Sequence, residues 1–117
     1  MQIDSEKLDY GIVKVILSGR MDLLGTQAID MKFTALTATQ KAPFLVDLSE
    51  VSFLASLGMR TLLSSAKAVS MRGGLMVIFN PQPNVQEVLE TSGISSLIPI
   101  FHDFQKAMDA LTSHQSG

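Results

Sequence analysis

The sequence predicts an α/β domain: a mixed or mainly parallel sheet of four to five strands with about four helices packed mainly on one face. Apolar runs alternate with helical periodicities in the order β-β-α-β-α-β-α-β-α. The runs at 12–17 and 75–79 are apolar almost throughout, with only Lys14 polar, the pattern of strands buried on both faces. The 117 residues suffice for one core, assigned to a single domain at 1–112, with 113–117 as a flexible polar tail.

Each element has its own signal. Residues 1–10 alternate loosely through Ile3, Leu8 and Tyr10 and predict an edge strand, closed by a turn at Tyr10-Gly11. The second strand, 12–17, ends at Gly19. Arg20-Met21-Asp22-Leu23-Leu24-Gly25 reads as a loop, in which Asp22 serves either as an acidic group near a helix N-terminus or as a cap or turn residue. Thr26 is placed to cap a helix over 26–40 that turns Ile29, Phe33, Leu36 and Thr37 to one side, although its threonines weaken the propensity. Pro43 introduces a short third strand, 44–46, followed by a turn through Asp47-Leu48-Ser49-Glu50.

A central helix follows Ala55-Ser56-Leu57-Gly58. Met59, Leu62, Leu63, Ala66 and Val69 recur on its inward face. Arg60, Thr61, Ser64, Ser65 and Ala68 fall on the other side with Leu57, so Leu57 is expected to face solvent in the first turn. Ser56 is placed as its N-cap, and Gly73-Gly74 as its C-terminal stop. After the strand at 75–79, Asn80-Pro81-Gln82-Pro83 breaks the chain. Asn84 is then placed to cap a short helix carrying Val85, Val88 and Leu89 inward and closed by Gly93. Pro99 marks a last strand at 98–101 as an edge. Asp103 caps a final helix, 104–111, with Phe104, Ala107, Met108 and Leu111 on one stripe.

Composition narrows the function. A net charge of −2 gives no footprint for nucleic acid, no apolar run is long enough to cross a bilayer, and no leader pattern opens the chain. The absence of cysteine excludes thiolate metal sites and fits a cytoplasmic protein; His102 and His114 have no metal spacing around them. No nucleophile–base pattern is present, and Gly73-Gly74 lacks the lysine of a phosphate loop. Neither an enzyme nor a metal or cofactor is therefore expected. Of seven methionines, Met59, Met76 and Met108 read as core, whereas Met21 and Met71 are candidates for exposure.

One stretch carries a resemblance. Asp47-Leu48-Ser49-Glu50-Val51-Ser52-Phe53-Leu54-Ala55-Ser56-Leu57-Gly58, followed by an amphipathic helix, resembles the signature of the STAS family, the bacterial anti-sigma factor antagonists and their relatives. Val15-Ile16-Leu17-Ser18-Gly19-Arg20-Met21-Asp22 resembles the segment after that family's second strand. The stretch from Asn80-Pro81 through Val85, Val88, Leu89 and Ser92-Gly93-Ile94 resembles its late strand-loop-helix, and Ile98-Pro99-Ile100-Phe101 with Ala107 also fits. The resemblance spans nearly the whole chain and implies a STAS-type fold.

It further implies a regulatory interaction module that binds an anti-sigma factor, a serine kinase of GHKL type, and so frees a sigma factor. The implied contact surface is Asp22, Leu23, Leu24, Ser56, Leu57, Gly58, Arg60, Thr61 and Ser64. The residue before the motif glycine is the family's phosphorylated serine or threonine; here it is Leu57, which has no hydroxyl. The family's aspartate two places earlier is Ala55. Phosphorylation of Ser56, Ser52 or Ser49 is open but not implied. The alternative partner is a transporter: free-standing relatives accompany the ATPase subunits of ABC-type lipid systems, and STAS domains form the tails of anion transporters. Nucleotide binding, also attached to the family, has no support here beyond a helix N-terminus.

Overall fold

The computed structural model describes residues 1–116. Five strands form one sheet in the order β1-β2-β3-β4-β5: β1 (Gln2–Lys7), β2 (Val13–Met21), β3 (Phe44–Leu54), β4 (Met76–Phe79) and β5 (Ile100–Phe101). β1 runs antiparallel to β2, and every later pair is parallel. Four α-helices connect or follow the strands: α1 (Leu23–Thr39), α2 (Ser56–Met71), α3 (Pro83–Thr91) and α4 (Phe104–Ser116). The predicted class and element order therefore hold.

The core divides between the two faces of the sheet. On one, Val13, Val15 and Leu17 of β2 and Phe44, Val46 and Leu48 of β3 meet Ile29 and Phe33 of α1, Leu62 and Val69 of α2, and Val85 and Leu89 of α3. On the other, a smaller cluster sets Ala107, Met108 and Leu111 of α4 over Ile12, Leu45 and Val77. This second cover is partial, which corrects the expectation for β2. Lys14, Ile16 and Ser18 are only half-buried, so the strand is not enclosed on both faces. The lone polar residue of that run has a reason. Lys14 Nζ lies 3.7 Å from both Glu6 and Asp47 carboxylates, and Asp47 Oδ1 also accepts from Ser49 N at 2.9 Å.

Several boundaries move. β3 does not turn at 47–50 but runs on to Leu54, with two bulges that place two extra residues of β3 against β2. Apolar burial continues across them at Leu48, Val51 and Leu54. α1 starts at Leu23 rather than after Thr26, because Asp22 is its N-cap; Thr26 is fully buried instead. Gln82, not Asn84, occupies the N-cap position of α3. α4 begins as expected, with Asp103 Oδ1 accepting from Lys106 N at 3.0 Å, but continues through the segment expected as a tail to Ser116; Gly117 lies outside the described residues.

Met21 is buried, not exposed, whereas Met71 is exposed as expected. Phe104 leaves the inner stripe of α4 and packs edge-on against Phe79, ring centres 5.8 Å apart. Positions two apart on α1 separate core from surface: Phe33 is fully buried and Met31 is 85% exposed. Phe33→Ala is expected to cost about 3–5 kcal/mol, and Met31→Ala to stay within about 0.5 kcal/mol of wild type, as read by urea denaturation.

Candidate functional site

Two strand-to-helix junctions lie side by side. β2 and β3 are parallel neighbours, and each runs directly into a helix. Their last pair is Met21 with Leu54, and Ala55 N donates to Met21 O at 3.0 Å. Asp22-Leu23-Leu24-Gly25 is thus set against Ala55-Ser56-Leu57-Gly58. The two junctions share a layout: an N-cap residue (Asp22, Ala55) with a glycine three positions on (Gly25, Gly58).

Close approach explains the glycines. A Cβ at Gly25 would stand 1.9 Å from Arg20 O. A Cβ at Gly58 would stand 2.8 Å from both Leu54 Cδ1 and Met21 Cγ. Each helix begins pressed onto the strand ends, and a side chain at either point would push it off.

The caps differ. Asp22 Oδ1 accepts from Gly25 N at 2.8 Å, and Arg20 Nε reaches Asp22 Oδ2 at 3.4 Å. The Gly25 N–H is the main cause holding the Asp22 carboxyl below its ordinary pKa, partial burial opposes it, and Arg20 adds to the lowering. α2 has no side-chain cap, since Ala55 stands at that position. The expectation that Ser56 caps α2 is corrected: Ser56 is the first helical residue and is exposed. The first N–H groups at the positive end of the α2 dipole therefore have no side-chain acceptor from the N-cap residue.

Around these ends lies an apolar surface. Leu23 is 57% exposed, Leu24 76% and Phe53 38%. Arg20 spreads over the Phe53 ring, 4.5 Å from its centre, while holding Asp22. Leu57 is half-buried rather than fully solvent-facing, and Arg60 and Ser64 are exposed. Thr61 and Ser65 turn inward, against the helical-wheel expectation, because α2 packs on α1 as well as on the sheet. Thr61 Oγ1 donates to Asp30 Oδ1 of α1 at 3.1 Å. Of the residues singled out, the fold gathers Asp22, Leu23, Leu24, Ser56 and Leu57 at one end of the sheet, with Arg60 and Ser64 following on α2. Gly58 and Thr61 serve packing beneath them. Arg20 and Phe53 were missed, since nothing in a strand thought to end at residue 46 signals which way Phe53 points.

Among the described residues, no group of three or more His, Cys, Asp or Glu converges to hold a metal ion. His102 lies between the side-chain oxygens of Asn80 and Gln86, and His114 Nε2 lies 3.2 Å from Gly73 O. Among the described residues, no helix is long and apolar enough to cross a membrane.

Fold and site together define an α/β domain that offers a surface at the ends of two adjacent strands. The STAS domain model matches residues 6–107, and the chain belongs to that family. It is 27% identical over 112 residues to the anti-sigma F factor antagonist of Paenibacillus polymyxa, covering 95% of each chain. It is 26% identical over 110 residues to BtrV of Bordetella bronchiseptica, which carries an anti-sigma factor antagonist name, covering 94% of each. In fold it is similar to the crystal structure of an anti-sigma factor antagonist from Mycobacterium paratuberculosis, with a TM-score of 0.83 at 23% identity, covering 95% of this chain and 93% of that one.

Two outcomes are expected. Ala55→Asp supplies the missing acceptor for α2 and raises stability by about 0.5–2 kcal/mol in denaturant titration. Asp22 has a folded pKa depressed below its unfolded value near 3.9, so its contribution is present above about pH 4 and lost as pH falls through the folded value. Asp22→Asn keeps a capping oxygen but does not titrate. The stability of wild type relative to this variant should therefore fall as the pH drops below about 4 toward the lowered folded value.

Proposed function

We propose that this chain is an anti-sigma factor antagonist whose docking surface carries no phosphate switch at position 57. Its partner in this reading is an anti-sigma factor of the GHKL serine-kinase type, held through the ends of α1 and α2, and docking releases a sigma factor. The observation that carries the reading is Leu57. By its resemblance to the family's motif it takes the place of the phosphorylated serine or threonine, and it is half-buried at the start of α2, near the exposed Leu23 and Leu24. The antagonist names of the relatives support the choice of partner.

The chemistry of the substitution is direct. A phosphate at this point would add a charge of about −1.5 to −2 and oblige the interface to desolvate it. Leucine adds apolar area instead, and burying its remaining exposed part contributes a fraction of the roughly 1.5–3 kcal/mol available to a whole leucine side chain. The surface stays in the docking-competent condition as far as this position is concerned. Ser56, the neighbouring exposed hydroxyl, is assigned no phosphate in this reading.

Affinity capture on the purified chain, with bound proteins identified by mass, tests the proposal. Wild type is expected to retain an anti-sigma kinase, and Leu57→Glu to lose about tenfold or more in affinity with the melting temperature little changed, a difference of roughly 1.4 kcal/mol. With that kinase and ATP, wild type should take up no phosphate, while Leu57→Ser becomes a substrate at residue 57. Retention of a transporter ATPase in place of a kinase, or unchanged affinity of Leu57→Glu, would overturn the reading.

A further inference from the structure

The outer half of β3 has a partner on one side only. β4 is short, and its pairing with β3 ends at Asp47 opposite Phe79. Residues 48–54 of β3 continue along β2, bulged twice, and deliver the chain to Phe53, Leu57 and the start of α2. Backbone groups on the side that β4 vacates need acceptors and donors from elsewhere. Two side-chain amides supply donors. Gln82 Nε2 donates to Ser49 O at 2.9 Å, and Asn84 Nδ2 donates to Ser52 O at 2.9 Å. Both residues belong to the connection that leaves β4 and opens α3.

Neither amide acts on its own helix. Gln82 stands at the N-cap of α3 but makes no side-chain cap bond there. Asn84, which the sequence suggests as the cap, lies one residue inside the helix and reaches across to β3. Pro83 between them has no N–H to donate and fixes the backbone at the first helical position. The two flanking amides are thereby aimed outward at a neighbouring strand, where they stand in for the rungs that β4 does not extend to provide.

We infer that Gln82 and Asn84 are positioning residues for the docking surface. They hold the bulged arm of β3 that carries Phe53 and sets the starting point of α2 and Leu57. The assignment of that surface to docking rests on the function proposed above. The clamp itself is a property of the free protein.

Amide hydrogen exchange on the free, full-length chain tests it. The double variant Gln82→Glu/Asn84→Asp keeps side-chain shape but replaces each donor by a carboxylate that only accepts. Exchange at residues 51–58 is expected to quicken by about tenfold from the loss of two hydrogen bonds. Exchange in the inner strands, 44–47 and 76–79, should remain at wild-type rates, and the melting temperature should hold nearly constant. Gln82→Ala/Asn84→Ala should reproduce the pattern. Unchanged exchange at 51–58 in both variants, or an equal rise through the inner strands, overturns the inference. Because no partner enters the measurement, that outcome would leave the Leu57 docking test standing, and failure of the docking test would leave the clamp standing.

Discussion

The close seating of two helix starts on two strand ends is the constraint on which the rest of this structure depends. Gly25 and Gly58 permit it, since each is the point where a helix touches the sheet backbone or the side chains rising from it. With the helices seated there, Met21 and Leu54 are sealed beneath them, and α1 and α2 come close enough for Thr61 to reach Asp30. The exposed Leu23 and Leu24 and the half-buried Leu57 are then presented at the same end of the sheet although they lie far apart in the chain. The candidate surface is thus a by-product of packing geometry: what faces outward is whatever the first turns carry once the glycines have fixed their height.

Much of the fold was legible because its signals are local. The apolar runs formed strands, Gly73-Gly74 follows the last turn of α2 and Asp103 caps α4; β5 is an edge strand as Pro99 suggests, but it starts only at Ile100, leaving Ile98 and Pro99 outside the strand expected over 98–101. The misreadings have equally specific causes. A helix with two buried sides defeats a one-face reading, so Thr61 and Ser65 were assigned outward when α1 covers them. Two capping candidates four residues apart, Asp22 and Thr26, cannot be ranked without knowing that Leu23 and Leu24 are helical. The bulges in β3 have no sequence signature, and Ser49-Glu50 within an apolar stretch looks like a turn.

The site was legible only in outline. The motif around Gly58 located the junction and flagged the leucine in it, but burial sorted its residues into two groups. Leu23, Leu24, Ser56, Arg60 and Ser64 are exposed, whereas Gly58 and Thr61 form the seat beneath. Arg20 and Phe53 entered the site only through tertiary geometry, as a guanidinium stacked on a ring that the second bulge turned outward. Gln82 and Asn84 were read as punctuation between elements, because an amide's reach across to another strand leaves no trace in local pattern.

The separation of seat from surface has an evolutionary consequence. The glycines and buried side chains that fix the junction leave the half-buried residue between them free of any capping or core-filling duty. Duplicated copies of such a domain can therefore drift at that one position at less cost to folding than at the buried glycine beside it. On the function proposed above, a lineage could acquire or discard a covalent input by a single codon, and paralogues with and without it could coexist on one scaffold, competing for the same partners under different commands.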